Sequence, residues 1–201
     1  TLESSEKEIK FYQASSSEMY GDQYDEEITE GIPCGVLNDG TIISKNKDGE
    51  IVPFVCKKER YQNEKTRFNP RSPYAVAKLA AHNMVDIHRK AYGTFAVAGI
   101  LFNHESERRG ENFVTRKITK WIGNYIKAQR NGETYPNLCL GDLSTVRDWG
   151  HAEDYVEAMW LMLQQDEPED FVIATNQTCK ISDFLNDAFS VAGLDADELV
   201  E

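Results

Sequence analysis

The chain has 201 residues, 40% of them apolar and 28% charged, and a formal net charge of −12. This is globular composition, long enough to bury one sizeable core with a smaller subdomain attached, which excludes wholesale disorder. The acidity argues against nucleic acid or an anionic membrane as partner, yet leaves room for a local basic pocket that takes a phosphorylated small molecule.

Cys34, Cys56, Cys139 and Cys179 are scattered without a C-x-x-C pair. That spacing points to reduced thiols in a cytoplasmic protein and away from a disulfide framework or a zinc site, so no metal is expected. No apolar run approaches the ~18 residues of a membrane helix. The opening "TLESSEKEIK" has neither the basic start nor the apolar middle of a signal peptide. With no initiator methionine at one end and "AGLDADELVE" just after a helical pattern at the other, both edges are expected to be cuts through a larger domain.

In chain order, "FYQAS" (Phe11 to Ser15) reads as a short buried strand and "SSEMYG" as a polar turn. From Asp22 to Lys65 the character changes: "LNDGTIISKNKDGEIVPFV" sets two Asp-Gly pairs between β-prone runs, the pattern of hairpins. Residues 22–65 are therefore expected to form a β-rich insertion in a domain that otherwise occupies 1–201. A helix follows, capped by Ser72, with Pro73 in its first turn and a stop at Gly93. "FAVAGILFN" is a continuous apolar run, as a parallel strand covered on both faces requires. "HESERRGENF" is a polar loop, and Val114, Ile118, Trp121, Ile122, Tyr125 and Ile126 then recur at helical spacing. "LCLGDLSTVRDWG" reads as a strand and turn, "HAEDYVEAMWLMLQQ" as a helix begun by His151, "DFVIAT" as a strand and "ISDFLNDAFSVAG" as a helix. Strands alternating with helices predict an α/β, doubly wound parallel sheet with part of a smaller substrate domain.

Tyr74 and Lys78 stand four apart on the predicted helix, hence on one face. A cation beside a phenol favours phenolate, which makes the tyrosine a usable general base toward an alcohol, and the lysine can also hold a cofactor ribose. The spacing alone fits a solvated helix face equally well. Ser16, Ser17 and Glu18 follow a strand, where α/β sheets place active-site loops, though on their own they fit an ordinary polar turn. Asn103, His104, Arg108, Arg109, Arg116 and Lys117 gather around one loop, and Arg147 stands in a turn before a helix, free to bind a phosphate or to pair with Asp148 or Glu153. His82 and His88 fall on different faces of one helix, which makes a metal pair improbable.

Taken together, "FYQASSSEMYG", "FNPRSPYAVAKLAAHNM", "FAVAGILFNHESERRGENFVTRKIT", "LGDLSTVRDWGHAEDYVEAMWLML" and "DEPEDFVIAT" resemble the GDP-mannose 4,6-dehydratase family of the extended short-chain dehydrogenase/reductases. The resemblance covers most of the chain outside residues 22–65. It implies conversion of GDP-mannose to GDP-4-dehydro-6-deoxy-D-mannose, with NADP recycled in each turnover. It implies Tyr74 as the base at the C4 hydroxyl, Lys78 as its tuner and ribose anchor, Glu18 as the acid/base at C5, and Ser16 as the hydroxyl donor where the family has threonine. His104 and Arg109 would join Tyr74 and Lys78 at the cofactor, and Asn103, Asn112, Lys117 and Arg147 would meet the GDP-sugar. The arginine loop implies a homo-oligomer, dimer or tetramer.

Four departures qualify the resemblance. The family's glycine-rich pyrophosphate loop and its C-terminal substrate-domain residues are not found in the chain, the Gly21–Arg67 stretch is long, and Asp142 replaces the family's asparagine. On this reading the 201 residues alone are expected to lack turnover. Two alternatives stand beside it: another nucleotide-sugar dehydratase or epimerase, against which Glu18, "NFVTRK" and "RDWGHA" argue, and an inactive truncated remnant that binds partners through an exposed sheet edge.

Overall fold

The structure, a computed structural model, describes residues 9–29, 33–38, 41–45, 50–53 and 57–201. Its strands are β1 (Phe11–Ser16), β2 (Asp25–Thr29), β3 (Pro33–Val36), β4 (Ile42–Lys45), β5 (Ile51–Pro53), β6 (Lys57–Tyr61), β7 (Ala96–Leu101), β8 (Asn103–Glu105), β9 (Val146–His151), β10 (Phe171–Ile173) and β11 (Thr178–Lys180). Its helices are α1 (Pro73–Tyr92), α2 (Val114–Arg130), α3 (Ala152–Met162), α4 (Ile181–Ala192) and α5 (Ala196–Leu199). The chain divides into two compact units, one of Thr1–Ser17 with Ala80–Glu201 and one of Glu18–Leu79.

The larger unit is built on a parallel sheet in the order β1-β7-β10. All six residues of β7 are buried, as its unbroken apolar sequence predicts, so its backbone groups must find partners inside the protein. Along one edge β1 pairs with the whole strand, from Phe11↔Ala96 to Ser16↔Leu101. Along the other edge β10 reaches only Gly99 to Leu101. Side chains complete the uncovered half: Arg89 Nε donates to the Ala96 carbonyl at 2.8 Å, and the Ala98 N–H donates to Asp170 Oδ1 at 2.8 Å. Arg89 and Asp170 also pair with each other, each only 20% exposed. Val85 of α1 packs on Ala96 and Ala98.

The same unit holds a mixed sheet in the order β11-β9-β8, with β8 parallel and β11 antiparallel to β9. Beside it, α2 and α4 share a core of Ile118, Trp121, Ile122, Leu138, Leu185 and Phe189. Trp121 stacks between Tyr125 and Phe189 and donates its indole N–H to the Pro136 carbonyl at 3.0 Å, which satisfies its one polar group. The helical spacing of α2 predicts this face. Two expectations change. Asn103 to Glu105 are strand and not loop, because they pair with Trp149 to His151, and Arg147 lies within β9 instead of in a turn. Strand β11, three residues long, is not anticipated by the sequence.

In the unit Glu18–Leu79, β2 pairs antiparallel with β6, and β3-β4-β5 form an antiparallel sheet. The predicted hairpins are present as strand pairs; the turn residues Asp39, Gly40, Asp48 and Gly49 lie outside the described residues. "SSEMYG" is not a solvated turn. Ser17–Met19 form one turn of 3-10 helix, and Met19 and Tyr20 are fully buried. The Tyr20 hydroxyl donates to the Asn63 carbonyl at 2.7 Å and its ring lies 5.1 Å from that of Phe68. Gly21 has φ +60°, and a Cβ there would collide with the Asn69 carbonyl, so only glycine closes this turn.

Helix α1 begins as its sequence predicts. The Ser72 hydroxyl accepts from the Ala75 N–H at 3.0 Å, Pro73 is the first helical residue, and Gly93 follows the helix at φ +64°. Replacing Ser72 by alanine strands that donor, and the Ser72→Ala chain is expected to be about 1 kcal/mol less stable, a fall of roughly 2–4 °C in Tm by calorimetry.

Candidate functional site

The predicted site residues fall in both units. In the unit Glu18–Leu79, Glu18 is an exposed carboxylate in the 3-10 turn. Tyr74 is 53% exposed in the first turn of α1. One turn on, the Lys78 ammonium lies 5.6 Å from the centroid of the Tyr74 ring, so the helix brings phenol and ammonium together as their i, i+4 spacing requires.

In the other unit Ser16 is buried at the end of β1. Its neighbour Ser15 is buried too, and its Oγ lies 3.1 Å from Nδ1 of buried His82 on α1. Sequence reasoning passes over this pair, whose members are 67 residues apart. Burial holds the His82 imidazole below its ordinary pKa; the Arg89 charge adds to this, while Asp170 and Asp86 oppose it.

His104 sits in β8 with Nδ1 2.9 Å from the Phe102 carbonyl and its ring stacked 4.7 Å from that of Tyr155. A carbonyl can only accept, so Nδ1 carries a proton and donates it, which fixes the ring's orientation in the strand. Tyr155 leans on Gly150, where a Cβ would strike the tyrosine ring; the glycine of "RDWGH" is thus a space requirement. The Tyr155 hydroxyl is buried without a hydrogen-bond partner among the described residues, and burial raises its pKa to about 12, helped by Asp148 and Asp154.

Arg109 is held inside its own loop. Its Nε lies 3.2 Å from Glu105 Oε2 without hydrogen-bond alignment, and its guanidinium sits 3.6 Å above the Phe113 ring. Glu105 also accepts from the Thr115 hydroxyl at 2.6 Å, which makes this carboxylate the organiser of the loop.

Of the predicted substrate residues, Asn103 is in β8, Asn112 in the loop before α2, and Lys117 donates to the Cys139 carbonyl at 2.7 Å. Arg147 is exposed and its Nη1 meets only the Val146 carbonyl, at 2.9 Å; it forms no ion pair among the described residues. Its expected partner Asp148 is buried and taken: the N–H and hydroxyl of Thr175 and the N–H of Asn176 all donate to it. The Arg147 guanidinium is therefore left for an outside anion. Nearby in the sequence, Glu105, Thr115, Arg116, Gly150, His151 and Phe184 line a cleft of about 440 Å³. His151 is the N-cap of α3, its Nδ1 accepting from the Glu153 N–H at 3.3 Å, as the sequence suggests.

The family model for GDP-mannose 4,6 dehydratase matches residues 56–201. The chain belongs to the GDP-mannose 4,6 dehydratase family. Among its relatives, the GDP-mannose 4,6 dehydratase of Dictyostelium discoideum is 46% identical over 184 residues, 92% of this chain and 41% of the relative. GDP-mannose 4,6 dehydratase 2 of Arabidopsis thaliana is 54% identical over 140 residues, 70% and 36% respectively, and the human protein is 46% identical over 181 residues, 90% and 38%. The chain thus spans about two fifths of the length of these relatives. Solved structures share the fold: RMD from Pseudomonas aeruginosa complexed with NADPH (TM-score 0.70, 20% identity, 96% of this chain and 55% of that one), and dTDP-glucose 4,6-dehydratase from Bacillus anthracis in complex with NAD (0.63, 18%, 96% and 49%). The parallel sheet of this GDP-mannose 4,6 dehydratase family member is accordingly the Rossmann-like one that its sequence predicts.

Because His82 resists protonation in the folded chain, the unfolded chain binds more protons as pH falls through its ordinary value of 6.5, and stability must fall with it. The urea midpoint is expected to drop between about pH 7 and about pH 5.5, and to drop less in His82→Leu, measured by fluorescence.

Proposed function

We propose that this chain carries the chemistry of GDP-mannose 4,6-dehydration, forming GDP-4-dehydro-6-deoxy-D-mannose. The observation that carries the reading is the Tyr74–Lys78 pair, an exposed phenol with an ammonium over its ring, in a chain of this family. Tyr74 takes the C4 hydroxyl proton, and Lys78, its charged neighbour, favours the phenolate side of that transfer. Ser16 donates a hydrogen bond to the same oxygen. Glu18, an exposed carboxylate, takes the C5 proton and returns it to the departing C6 hydroxyl, so that water leaves. Arg147, with its uncommitted guanidinium, holds a phosphate of the GDP group, with Asn103, Asn112 and Lys117 as further contacts.

The cofactor of this reading is NADP, which supplies a reversible hydride store. Tyr74, Lys78, His104 and Arg109 would hold it, with the Lys78 and Arg109 cations as charged donors to a dinucleotide's ribose and phosphates. A homo-oligomer, dimer or tetramer, in the cytoplasm belongs to the same proposal. A second reading, another nucleotide-sugar dehydratase or a 4-epimerase, is favoured by the shared fold; Glu18 argues against the epimerase, which needs no base at C5.

The test replaces the 184 aligned residues of the Dictyostelium relative with this chain and follows the 4-keto product from GDP-mannose and NADP. The chimera is expected to turn over, the 201 residues alone are not, and Tyr74→Phe in the chimera is expected to cost about 10²–10⁴-fold in kcat while GDP-mannose still binds. Full activity in Tyr74→Phe would remove the assigned base.

A further inference from the structure

Helix α2 carries five basic residues and no acidic one, in a chain of net charge −12. Arg116, Lys120, Gly123, Lys127 and Arg130 stand at i, i+4, i+7, i+11 and i+14, which is one stripe of the helix. The apolar face of α2 is buried in the core shared with α4, and along the stripe Lys120, Gly123, Lys127 and Arg130 are exposed. After proline, glycine is the poorest residue for a helix interior. A Cβ on Gly123 would meet nothing within 4 Å among the described residues, so no packing there requires the gap.

Helix α3 has the opposite character. It holds Glu153, Asp154 and Glu157 and no basic residue. Glu153, Glu157 and Trp160 stand at i, i+4 and i+7, again one stripe. Of the chain's three tryptophans, Trp121 is buried and Trp149 half-buried, whereas Trp160 is 60% exposed. Val156 and Leu161 are exposed beside it and widen the apolar patch. Helix dipoles favour acids in the first turn of α3 and bases in the last turn of α2. They account neither for a tryptophan on an exposed acidic face nor for a bare glycine within a basic one.

The two stripes match when α3 of one molecule lies antiparallel on α2 of another, with Trp160 over Gly123. Glu157, three residues before the tryptophan, then falls beside Lys127, four beyond the glycine. Glu153, seven before, falls beside Arg130, seven beyond. All four of these charges are without an ion pair among the described residues. A parallel arrangement would call on Lys120 and Arg116 instead, and Glu111 already pairs with Lys120 and faces Arg116. Two α3 stripes, or two α2 stripes, would set like charges against each other.

We propose that the α3 stripe of one molecule docks antiparallel on the α2 stripe of a second copy, with Trp160 seated over Gly123. Exposed ion pairs contribute little affinity, so Glu153–Arg130 and Glu157–Lys127 set the partner and the direction. The indole, packed on bare backbone, is the anchor. None of these residues has a role in the dehydratase reading, which places its homo-oligomer contact in the arginine loop. The two therefore fail separately.

The test is sedimentation velocity on the 201-residue chain, with Tm read alongside to separate loss of contact from loss of fold. Wild type at about 100 µM is expected to associate in about 50 mM salt and to bind itself at least about tenfold more weakly in about 0.5 M salt. Glu153→Lys/Glu157→Lys and Lys127→Glu/Arg130→Glu each place like charges on both stripes, and each is expected to sediment as a monomer. Mixed one to one, they are expected to associate again, because the α3 of the first now fits the α2 of the second. Trp160→Ala is expected to weaken association at least about tenfold. Gly123→Gln is expected to weaken it too while raising Tm, since glutamine is the better helix former. A monomeric wild type, charge variants that associate as wild type does, or a mixture that stays monomeric would overturn the contact. Should a charge variant fail to fold, Trp160→Ala and Gly123→Gln against wild type decide the same question.

Discussion

All six residues of strand β7 are buried, and a backbone in that position has little water to turn to. Its left edge is paired by β1 over its full length and its right edge by β10 over only the second half. The remaining carbonyl and N–H are met by Arg89 and Asp170, which neutralise one another as they do so. A charged pair that is four-fifths buried contributes little net stability by itself, yet removing either partner would leave both a charge and a backbone group stranded. Helix α1 is fastened to the sheet as a by-product of satisfying β7.

A second constraint of the same kind orders the other end of the larger unit. Asp148, buried in β9, accepts from Thr175 and Asn176 and so ties the strand to the segment after β10. Because the carboxylate is consumed structurally, the arginine beside it is released from the obvious ion pair. Glu105 does the opposite for Arg109, holding it close and resting it on Phe113. Two arginines that look alike in sequence are thus in different states: one is open to an anion, and the other must leave its carboxylate to reach one.

What could be read from the sequence is what local chemistry dictates. The Ser72 cap, Pro73, Gly93, the apolar run of β7, the helical face of α2 and the hairpin strands β3 to β5 each follow from residues within one turn or one strand of each other. Strands β8 and β11, three residues apiece, exist because β9 offers them an edge, and no propensity in so short a segment announces that. The His82–Ser15 bond, the role of Asp148 and the burial of Met19 and Tyr20 depend on partners brought together by the fold. Arg147 was legible as a candidate by its charge, but its availability was not, since that turns on where Asp148 points.

The central proposal is that this chain carries part of a site for a GDP-sugar, with Arg147 as an anion contact. Calorimetric titration of the 201-residue chain with GDP-mannose and with dTDP-glucose, repeated on Arg147→Ala, addresses it most directly. The account predicts that GDP-mannose binds at least about tenfold more tightly than dTDP-glucose and that Arg147→Ala loses about 1.5–3 kcal/mol of that binding, the worth of a charge-assisted hydrogen bond. Equal affinity for the two nucleotide sugars, or binding indifferent to Arg147, would contradict it.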